Sequence, residues 1–357
     1  MRTSLKTSFS LLVLSLLSIF TGCEDDLPKV TLITHMRALG ARQAVIGDEA
    51  RAIPKPGERV RMTWAMAYPD VETTDDELAS FFIECTAPIR YTGTPVCQEF
   101  IDAAQGRTTG LGFGFSQPPE GCDVKPDSTQ TIAGIRLVCV TGTPKIDVPV
   151  AKAAKSPRLV QGIICRNGIP QLDLESPTGA SCKPKSSRDD FEEITVYGTV
   201  NIATKADEEN ENPAIAKAKL RLRATEFGDP IDWNPTPAEA LPDLEEDCST
   251  ASSEILPKSP GFTGVILIDY PKQTASRERD EDIVFSTYAT FGELSRRFTV
   301  FESTGVEVDA PKLTWKLSEE ERTELVGNPR LVRFYFTVVD GRGGFDITTR
   351  ELCVDRL

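Results

Sequence analysis

Apolar and polar residues alternate with a period of two along much of the chain. The pattern is clear at Val60–Met66, Ile194–Ile202 and Leu220–Arg223, and it is typical of a strand with one buried face. Further short runs are rich in β-branched and aromatic residues and also predict strands. These runs are Ile135–Val140, Leu159–Cys165, Val265–Ile268, Ile283–Phe291 and Leu331–Val339. No strand pattern alternates with a long helical one, so the chain is predicted to be all-β.

Short helices and tight turns are expected between these strands. Capping-box spacing predicts one helix of about two turns at Thr74–Phe82 and another at Ser318–Leu325, with Gly327 suited to the end of the second. The clearest hairpin is Val338–Phe345, where the sequence D-G-R-G-G supplies glycines for a tight reversal. The expected architecture is therefore a series of tandem β-sandwiches with short helical decorations.

Charged and proline-rich stretches indicate the domain boundaries. Asp207–Pro213 is a charged run, and residues 229–261 are acidic and rich in proline, which is typical of a connecting segment. We predict three tandem sandwiches, at residues 30–143, 144–228 and 262–357, with residues 229–261 joining the last two.

The amino terminus predicts export and a lipid anchor. Residues 1–22 begin with Arg2 and Lys6 and continue with an apolar stretch of 12 residues, which is too short for a bilayer that needs about 20. Phe20-Thr-Gly-Cys23 then resembles the lipobox of bacterial lipoproteins, where the cysteine is acylated and the signal is cut before it. We expect Cys23 to be lipidated and residues 23–29 to form a tether. The alternative is ordinary signal cleavage with Cys23 in a disulfide bond.

The cysteine count supports an exported protein. The chain has nine cysteines, and assigning Cys23 to lipid leaves an even number, as expected for disulfide bonds outside the cytosol. The spacings exclude CxxC zinc and redox motifs. Many pairings are possible from sequence alone, and sequence order gives our hypothesis. The pairs are then Cys85–Cys97, Cys122–Cys139, Cys165–Cys182 and Cys248–Cys353.

Net charge restricts the partners. Removing residues 1–22 leaves 38 of the 40 basic residues against 54 acidic ones, a net charge of −16. Such a surface repels phosphate backbones and anionic headgroups, so no nucleic acid is expected as a partner and no basic patch binds the membrane. Membrane attachment is therefore assigned to the lipid on Cys23. We expect an exported protein anchored to the bacterial envelope, at the outer membrane.

Few residues suggest catalytic chemistry. His35 is the only histidine, so a Ser-His-Asp triad would depend on it and a multi-histidine metal site is excluded. The motifs GxSxG, SxxK, HExxH and the P-loop are absent, and no cofactor is expected.

Two acidic clusters contain candidate calcium ligands, although a solvated loop is the more common explanation for such clusters. The candidates are Asp207, Glu208, Asp280 and Asp282.

The three tryptophans have different expected roles. Trp64 and Trp315 lie in alternating strand patterns, which predicts that both belong to the core. Trp233 lies in the proline-rich connection, where an exposed aromatic side chain could contact a protein partner or a sugar. Trp233 is therefore a candidate binding residue.

Two stretches resemble a known group of proteins. One is Val30–Pro69, which contains Pro54-Lys-Pro-Gly-Glu-Arg-Val-Arg-Met-Thr-Trp64, and the other is Leu331–Cys353, which contains D-G-R-G-G. They are similar to lipoproteins of myxobacteria and their relatives. The resemblance implies immunoglobulin-like sandwiches in which P-G-E precedes a strand and D-G-R-G-G joins the last two strands. It implies no active site.

Two functions remain open at this point. The first is a non-enzymatic, lipid-anchored envelope module that binds another envelope protein or a glycan, or serves as a structural spacer. The second is a hydrolytic, carbohydrate-active lipoprotein that uses paired carboxylates in a loop-made cleft. A deep cleft with two facing carboxylates would favour the enzyme, whereas closed sandwiches favour the module.

Overall fold

A computed structural model shows two β-sandwiches in tandem. The described strands form one three-stranded and three five-stranded sheets, with two small two-stranded ribbons. The structure describes residues 30–69, 78–87, 97, 102, 129–132, 135–173, 175–176, 178–185, 191–205, 210–223, 229–235, 248, 258–259, 263–270, 274–276, 279–280, 282–301, 312–325 and 329–354.

The first sandwich packs a three-stranded sheet against a five-stranded one. The three-stranded sheet has the order β1-β2-β6, and the five-stranded sheet has the order β10-β7-β3-β5-β4. Neighbouring strands in both sheets are antiparallel. The strands are β1 (Arg37–Val45), β2 (Arg59–Ala67), β3 (Leu78–Thr86), β4 (Thr129–Ile132), β5 (Ile135–Thr141), β6 (Lys145–Pro149), β7 (Arg158–Arg166) and β10 (Glu192–Val200). A ribbon of β8 (Gly168–Leu172) and β9 (Ala180–Pro184) lies beside them.

Alternation in β2 builds the core between these two sheets. Val60, Met62 and Trp64 are buried, while the residues between them are exposed or half-buried. Trp64 stacks on Phe82 of β3, with ring centroids 4.6 Å apart. Strand β3 is buried on both faces, because Phe81 belongs to a second apolar cluster on the other side of the five-stranded sheet.

The second sandwich packs two five-stranded sheets. Their orders are β12-β11-β14-β20-β18 and β13-β22-β21-β17-β19. The first sheet contains β11 (Lys219–Arg223), β12 (Ile231–Asp232), β14 (Thr263–Asp269), β18 (Glu293–Leu294) and β20 (Lys312–Lys316). The second contains β13 (Lys258–Ser259), β17 (Ile283–Ala289), β19 (Phe298–Phe301), β21 (Arg330–Asp340) and β22 (Phe345–Val354). A ribbon of β15 (Thr274–Ser276) and β16 (Arg279–Asp280) completes the described strands.

The prediction of three sandwiches is wrong, and the boundary near residue 143 does not separate domains. Strand β7 follows that boundary, yet it pairs along its whole length with β3, which precedes it. Strand β6 likewise pairs with β2. Residues 30–143 and most of 144–228 therefore contribute to one hydrophobic core, because strands far apart in sequence complete the same two sheets.

One of the two predicted helices is found. Helix α1 (Glu319–Glu324) begins after Ser318, whose side chain accepts from the Glu321 backbone N–H, and Glu321 returns a bond to the Ser318 backbone N–H. The helix predicted at Thr74–Phe82 is wrong, because its apolar second half begins strand β3. Both sides of that strand are covered, so an unbroken apolar run suits it. No helix among the described residues is long and apolar enough to cross a bilayer.

Disulfide bonds join the cysteine pairs that sequence order predicts. The structure contains Cys85–Cys97, Cys165–Cys182 and Cys248–Cys353. Cys139 is also disulfide-bonded, and Cys122, its predicted partner, lies outside the described residues.

The P-G-E motif before β2 forms a tight turn, which the Glu58 side chain stabilises. The carboxylate of Glu58 accepts from the Lys55 backbone N–H at 2.6 Å and from both terminal nitrogens of Arg51 at 2.8 Å. Gly57 has a φ of +94°, which favours glycine. The hydrogen bond from the Arg51 guanidinium is the main reason that the pKa of Glu58 lies below its ordinary value. The motif therefore sets the entry of β2 into the sheet.

Truncation of Phe82 tests the core of the first sandwich. Phe82→Ala is expected to lower the free energy of unfolding by about 3–5 kcal/mol, because it removes a fully buried ring and leaves a cavity against Trp64. Phe298→Ala is the matched control, since Phe298 is 56% exposed, and it should change stability by no more than about 0.5 kcal/mol. Denaturant titration measures both; equal losses would contradict the assigned core.

Removal of the Glu58 charge tests the turn. In the folded state the pKa of Glu58 is lowered, so its stabilisation is present above the unfolded pKa and is lost as pH falls through the folded one. Glu58→Gln should therefore cost about 0.5–1 kcal/mol at pH 7, and the gap to wild type should close below about pH 4. Glu175→Gln, at an exposed site, is the control. If Glu58→Gln remains less stable than the wild type in acid, the ion pair is not the cause of the difference in stability.

Candidate functional site

The two sandwiches meet at a buried polar group of three side chains, Asn210, Asn212 and Asp340, here called the junction cluster. Asn210 donates through its side chain to Asp340 at 2.9 Å. Asn212 donates to the carbonyl of Gln43 in β1 at 2.5 Å and accepts from the Phe345 backbone N–H in β22 at 3.1 Å. Asn212 therefore bridges the two sandwiches directly.

The hairpin with the sequence D-G-R-G-G contributes Asp340 to the junction cluster. Asp340 accepts from the backbone N–H groups of Arg342 at 2.9 Å and Gly344 at 2.7 Å. A Cβ atom at Gly344 would overlap the Asp340 carboxylate and Pro213, so the motif requires glycine there. The motif that marks the hairpin in the sequence thus also forms an interdomain contact.

Further contacts surround the junction cluster. Arg42 of β1 pairs with Asp346 of β22 at 2.6 Å, and the other oxygen of Asp346 accepts from the Ile215 backbone N–H at 3.0 Å. The Phe345 ring lies against Gly40. These contacts join β1 of the first sandwich to β22 of the second at several successive positions.

An apolar cluster and a groove lie on the other side of the same junction. Ile33, Ala67, Tyr288 and Tyr335 form a buried cluster with members from both sandwiches. The hydroxyl of Tyr335 accepts from the Tyr68 backbone N–H at 3.2 Å. Beside this cluster is an open groove of about 420 Å³, the junction groove, lined by Trp64, Met66, Tyr335, Ile347 and Thr349 among others.

A second cavity, the Glu84 cavity, lies at one end of the first sandwich and has a volume of about 440 Å³. Glu84 is 1% exposed and accepts from Arg136 at 2.5 Å and from Arg158 at 3.0 Å. Arg158 also donates to the Thr86 hydroxyl at 2.8 Å. The two guanidinium groups and the buried carboxylate therefore satisfy one another, as buried charges must.

A third cavity, the Arg350 cavity, opens at the edge of the second sandwich between its two sheets. It has a volume of about 350 Å³ and is lined by residues of β11, β12 and β22, with Asp269 at the end of β14. Arg350 is 6% exposed and donates to the carbonyls of Trp233 and Thr349 and to the Thr348 hydroxyl. All these acceptors are neutral.

Trp233 is buried, which corrects its prediction as an exposed contact for a partner or sugar. It is 1% exposed and packs edge-on against Phe334 and Phe336. Its indole N–H donates to the Glu351 carbonyl at 2.9 Å. The start of the proline-rich connection pairs with β11 as strand β12, and this pairing carries Trp233 into the core.

The other predicted site residues do not come together. His35 is 85% exposed, and its nearest carboxylate is that of Glu192, at 3.7 Å. Asp280 lies in β16, and Asp282 precedes β17. Among the described residues no group of three or more His, Cys, Asp or Glu side chains is placed to hold a metal ion. Three further candidates, Cys23, Asp207 and Glu208, lie outside the described residues.

Sequence reasoning missed Arg350, although a signal for it was present. Arg350 and Glu351 are consecutive charged residues within the last strand, and successive side chains of a strand point to opposite faces. In a sandwich one of the two must therefore face the interior. Glu351 lies on the opposite face of the sheet, where it is buried and pairs with Arg333 at 2.8 Å, so Arg350 takes the position facing the core.

The comparisons with known proteins give no family. No protein-family model matches the chain, and the search of curated proteins found no match. Among solved structures, Escherichia coli alpha-2-macroglobulin activated by porcine elastase shares 11% identity over 89% of this chain and 22% of its own, with a TM-score of 0.20. The trypsin-activated Escherichia coli protein shares 10% identity over 88% and 18%, with a TM-score of 0.20. A Salmonella alpha-2-macroglobulin mutant shares 9% over 92% and 17%, with a TM-score of 0.21.

The chain spans about a fifth of the length of these structures. Likenesses at such scores carry no argument about function. The all-β sandwich fold is read from the strands and sheets themselves.

Substitution of Asn212 tests the junction cluster. Asn212→Ala should lower the free energy of unfolding by about 2–3 kcal/mol, because the buried Gln43 carbonyl and Phe345 N–H lose their partner. It should also speed proteolysis within residues 201–218. Asn201→Ala, at an exposed position of the same segment, is the control for both measurements. Cleavage rates that match between the two variants would contradict a role for Asn212 in holding the sandwiches together.

Proposed function

We propose that the chain is a lipid-anchored protein of the bacterial cell envelope that acts as a non-enzymatic binding or structural module. The observation that carries this proposal is that all seven described cysteines are disulfide-bonded. Disulfide bonds of this kind form and persist outside the cytosol. With Cys122 as the predicted partner of Cys139, Cys23 is the one cysteine left for lipid.

The position of the tether supports a role in holding both sandwiches near a surface. The chain just after the tether pairs with the second sandwich, since Ile33 donates to the Ala289 carbonyl at 2.9 Å and Ala289 donates to the Thr31 carbonyl at 3.0 Å. Residues 24–29 reach about 20 Å when extended. The anchor would therefore attach at the junction rather than at a distant end, and neither sandwich would be far from the membrane.

The proposal includes the expected location and partners. The outer membrane is the proposed site, in keeping with the resemblance to myxobacterial lipoproteins. Another envelope protein or a glycan is the proposed partner. The junction groove and the two cavities are concave surfaces of the described chain that such a partner could use.

The enzyme alternative finds less support. Two carboxylates, Asp232 and Asp269, line the Arg350 cavity, but both are exposed at its rim. A glycosidase acid needs apolar surroundings that keep it protonated. Glu84 is buried, but its two oxygens are already paired with Arg136 and Arg158. We therefore propose a module without hydrolytic activity.

Replacement of the anchoring sulfur tests the proposal. Cys23→Ser, expressed as the full chain in a Gram-negative host, should lose incorporation of an alkyne-labelled fatty acid and should leave the detergent phase, because the hydroxyl cannot take the thioether lipid. Glu24→Gln is the neighbouring control and should keep both properties. Full retention of Cys23→Ser in salt-washed membranes would overturn the proposed anchor.

A further inference from the structure

Arg350 places a buried cation in the Arg350 cavity, and no carboxylate of the described residues pairs with it. Arg350 lies in the inward row of β22 with Leu352 and Val354, which belong to the core of the second sandwich. Its Nε and Nη1 atoms donate to neutral oxygens. Within the described chain its Nη2 atom has no hydrogen-bond acceptor and the guanidinium has no carboxylate partner.

Three partly buried arginines of the protein do have carboxylate partners. Arg136 and Arg158 share Glu84, and Arg333 pairs with Glu351. Burying a charge without an opposite charge is costly, and burial lowers the pKa of Arg350 to about 10. The guanidinium still carries its charge near pH 7, so the cavity presents an uncompensated cation.

A second unpaired donor lies at the same cavity. The Nε atom of Arg221, also in the lining, is buried and has no hydrogen-bond partner in the described structure. Donors of this kind are normally paired in folded proteins. The arginines of β11 and β22 thus both line this cavity, and each has an N–H group without an acceptor in the described chain.

The rim has the opposite character. Asp232 and Asp269 are exposed there, and Lys219 of β11 lies opposite Asp269 in the strand register. These carboxylates would repel a dianion that enters the cavity. A molecule with one carboxylate and one ammonium group could place its carboxylate near the arginine and its ammonium group near the rim acids.

We propose that the Arg350 cavity binds a small zwitterion, an amino acid or short peptide, with its carboxylate on Arg350 and Arg221 and its ammonium group toward Asp232 and Asp269. A planar guanidinium suits a carboxylate because two parallel N–H groups can donate to two oxygens. This inference names the ligand chemistry for the binding role proposed above and does not depend on the lipid anchor.

Calorimetry on the full-length chain in detergent tests the site with glycylglycine as the probe. Saturable millimolar binding is expected. Glycylglycinamide, which lacks the carboxylate, should bind at least about tenfold more weakly, the effect of losing a charged hydrogen bond. N-acetylglycylglycine, which lacks the ammonium group, should bind about threefold more weakly. No binding of glycylglycine, or equal binding of its amide, would overturn the proposal.

Matched variants locate the binding. Arg350→Met should weaken glycylglycine binding at least about tenfold. Arg333→Met, the same change on the outer face of the same sheet, should leave it unchanged. If Arg350→Met does not fold, Arg221→Met at the half-buried position provides the test, with about a threefold weakening expected. Wild-type affinity in the folded Arg350 or Arg221 variant would overturn the site.

The anchor variant separates the two proposals. Cys23→Ser should bind glycylglycine as the wild type does, because the cavity lies in the second sandwich. If Cys23→Ser loses membrane attachment but still binds glycylglycine, the result supports the ligand site independently of the anchor. Loss of probe binding in Arg350→Met with normal membrane attachment would leave the envelope role standing.

Discussion

The arrangement of the two sandwiches depends on the buried hydrogen bonds of Asn212. Its side chain satisfies a carbonyl in β1 and an N–H in β22, so moving either sandwich would leave a peptide group unpaired away from water. Such a group costs about 1–3 kcal/mol. Asn210 and Asp340 extend the same cluster into the hairpin of the second sandwich. The Arg42–Asp346 pair and the junction groove lie at the same junction as this cluster.

Arginines line two of the cavities in a protein that is acidic overall. In the Glu84 cavity the half-buried Arg136 and Arg158 share one buried carboxylate. Among the described residues Arg350 instead donates to neutral oxygens and has no carboxylate partner. The carboxylate of the proposed ligand would supply that missing charge. This difference in compensation, rather than a difference in volume, directs attention to the second sandwich.

Local patterns in the sequence predicted many of the strands and turns. Period-two alternation at Val60–Met66 and the D-G-R-G-G turn both correspond to observed structure. The capping box at Ser318 does so too, because it needs only four consecutive residues. The same reasoning failed at Leu78–Phe82, where an unbroken apolar run suits a helix or a strand buried on both faces. Only the sheets packed on either side of β3 decide between them.

The sequence by itself determined the all-β class and many of the strands and turns, because these follow from residue patterns within short segments. Sequence order offered the cysteine pairs only as a hypothesis, and the fold brings Cys248 and Cys353 together across 105 positions. Only the tertiary structure decided that the chain forms two sandwiches rather than three, since β3 and β7 pair across more than sixty intervening residues. It also decided that Trp233 is buried and that Arg350 faces inward with no carboxylate partner among the described residues. A side chain's surroundings are made by strands that are distant in the chain, and no local pattern encodes which strands those are.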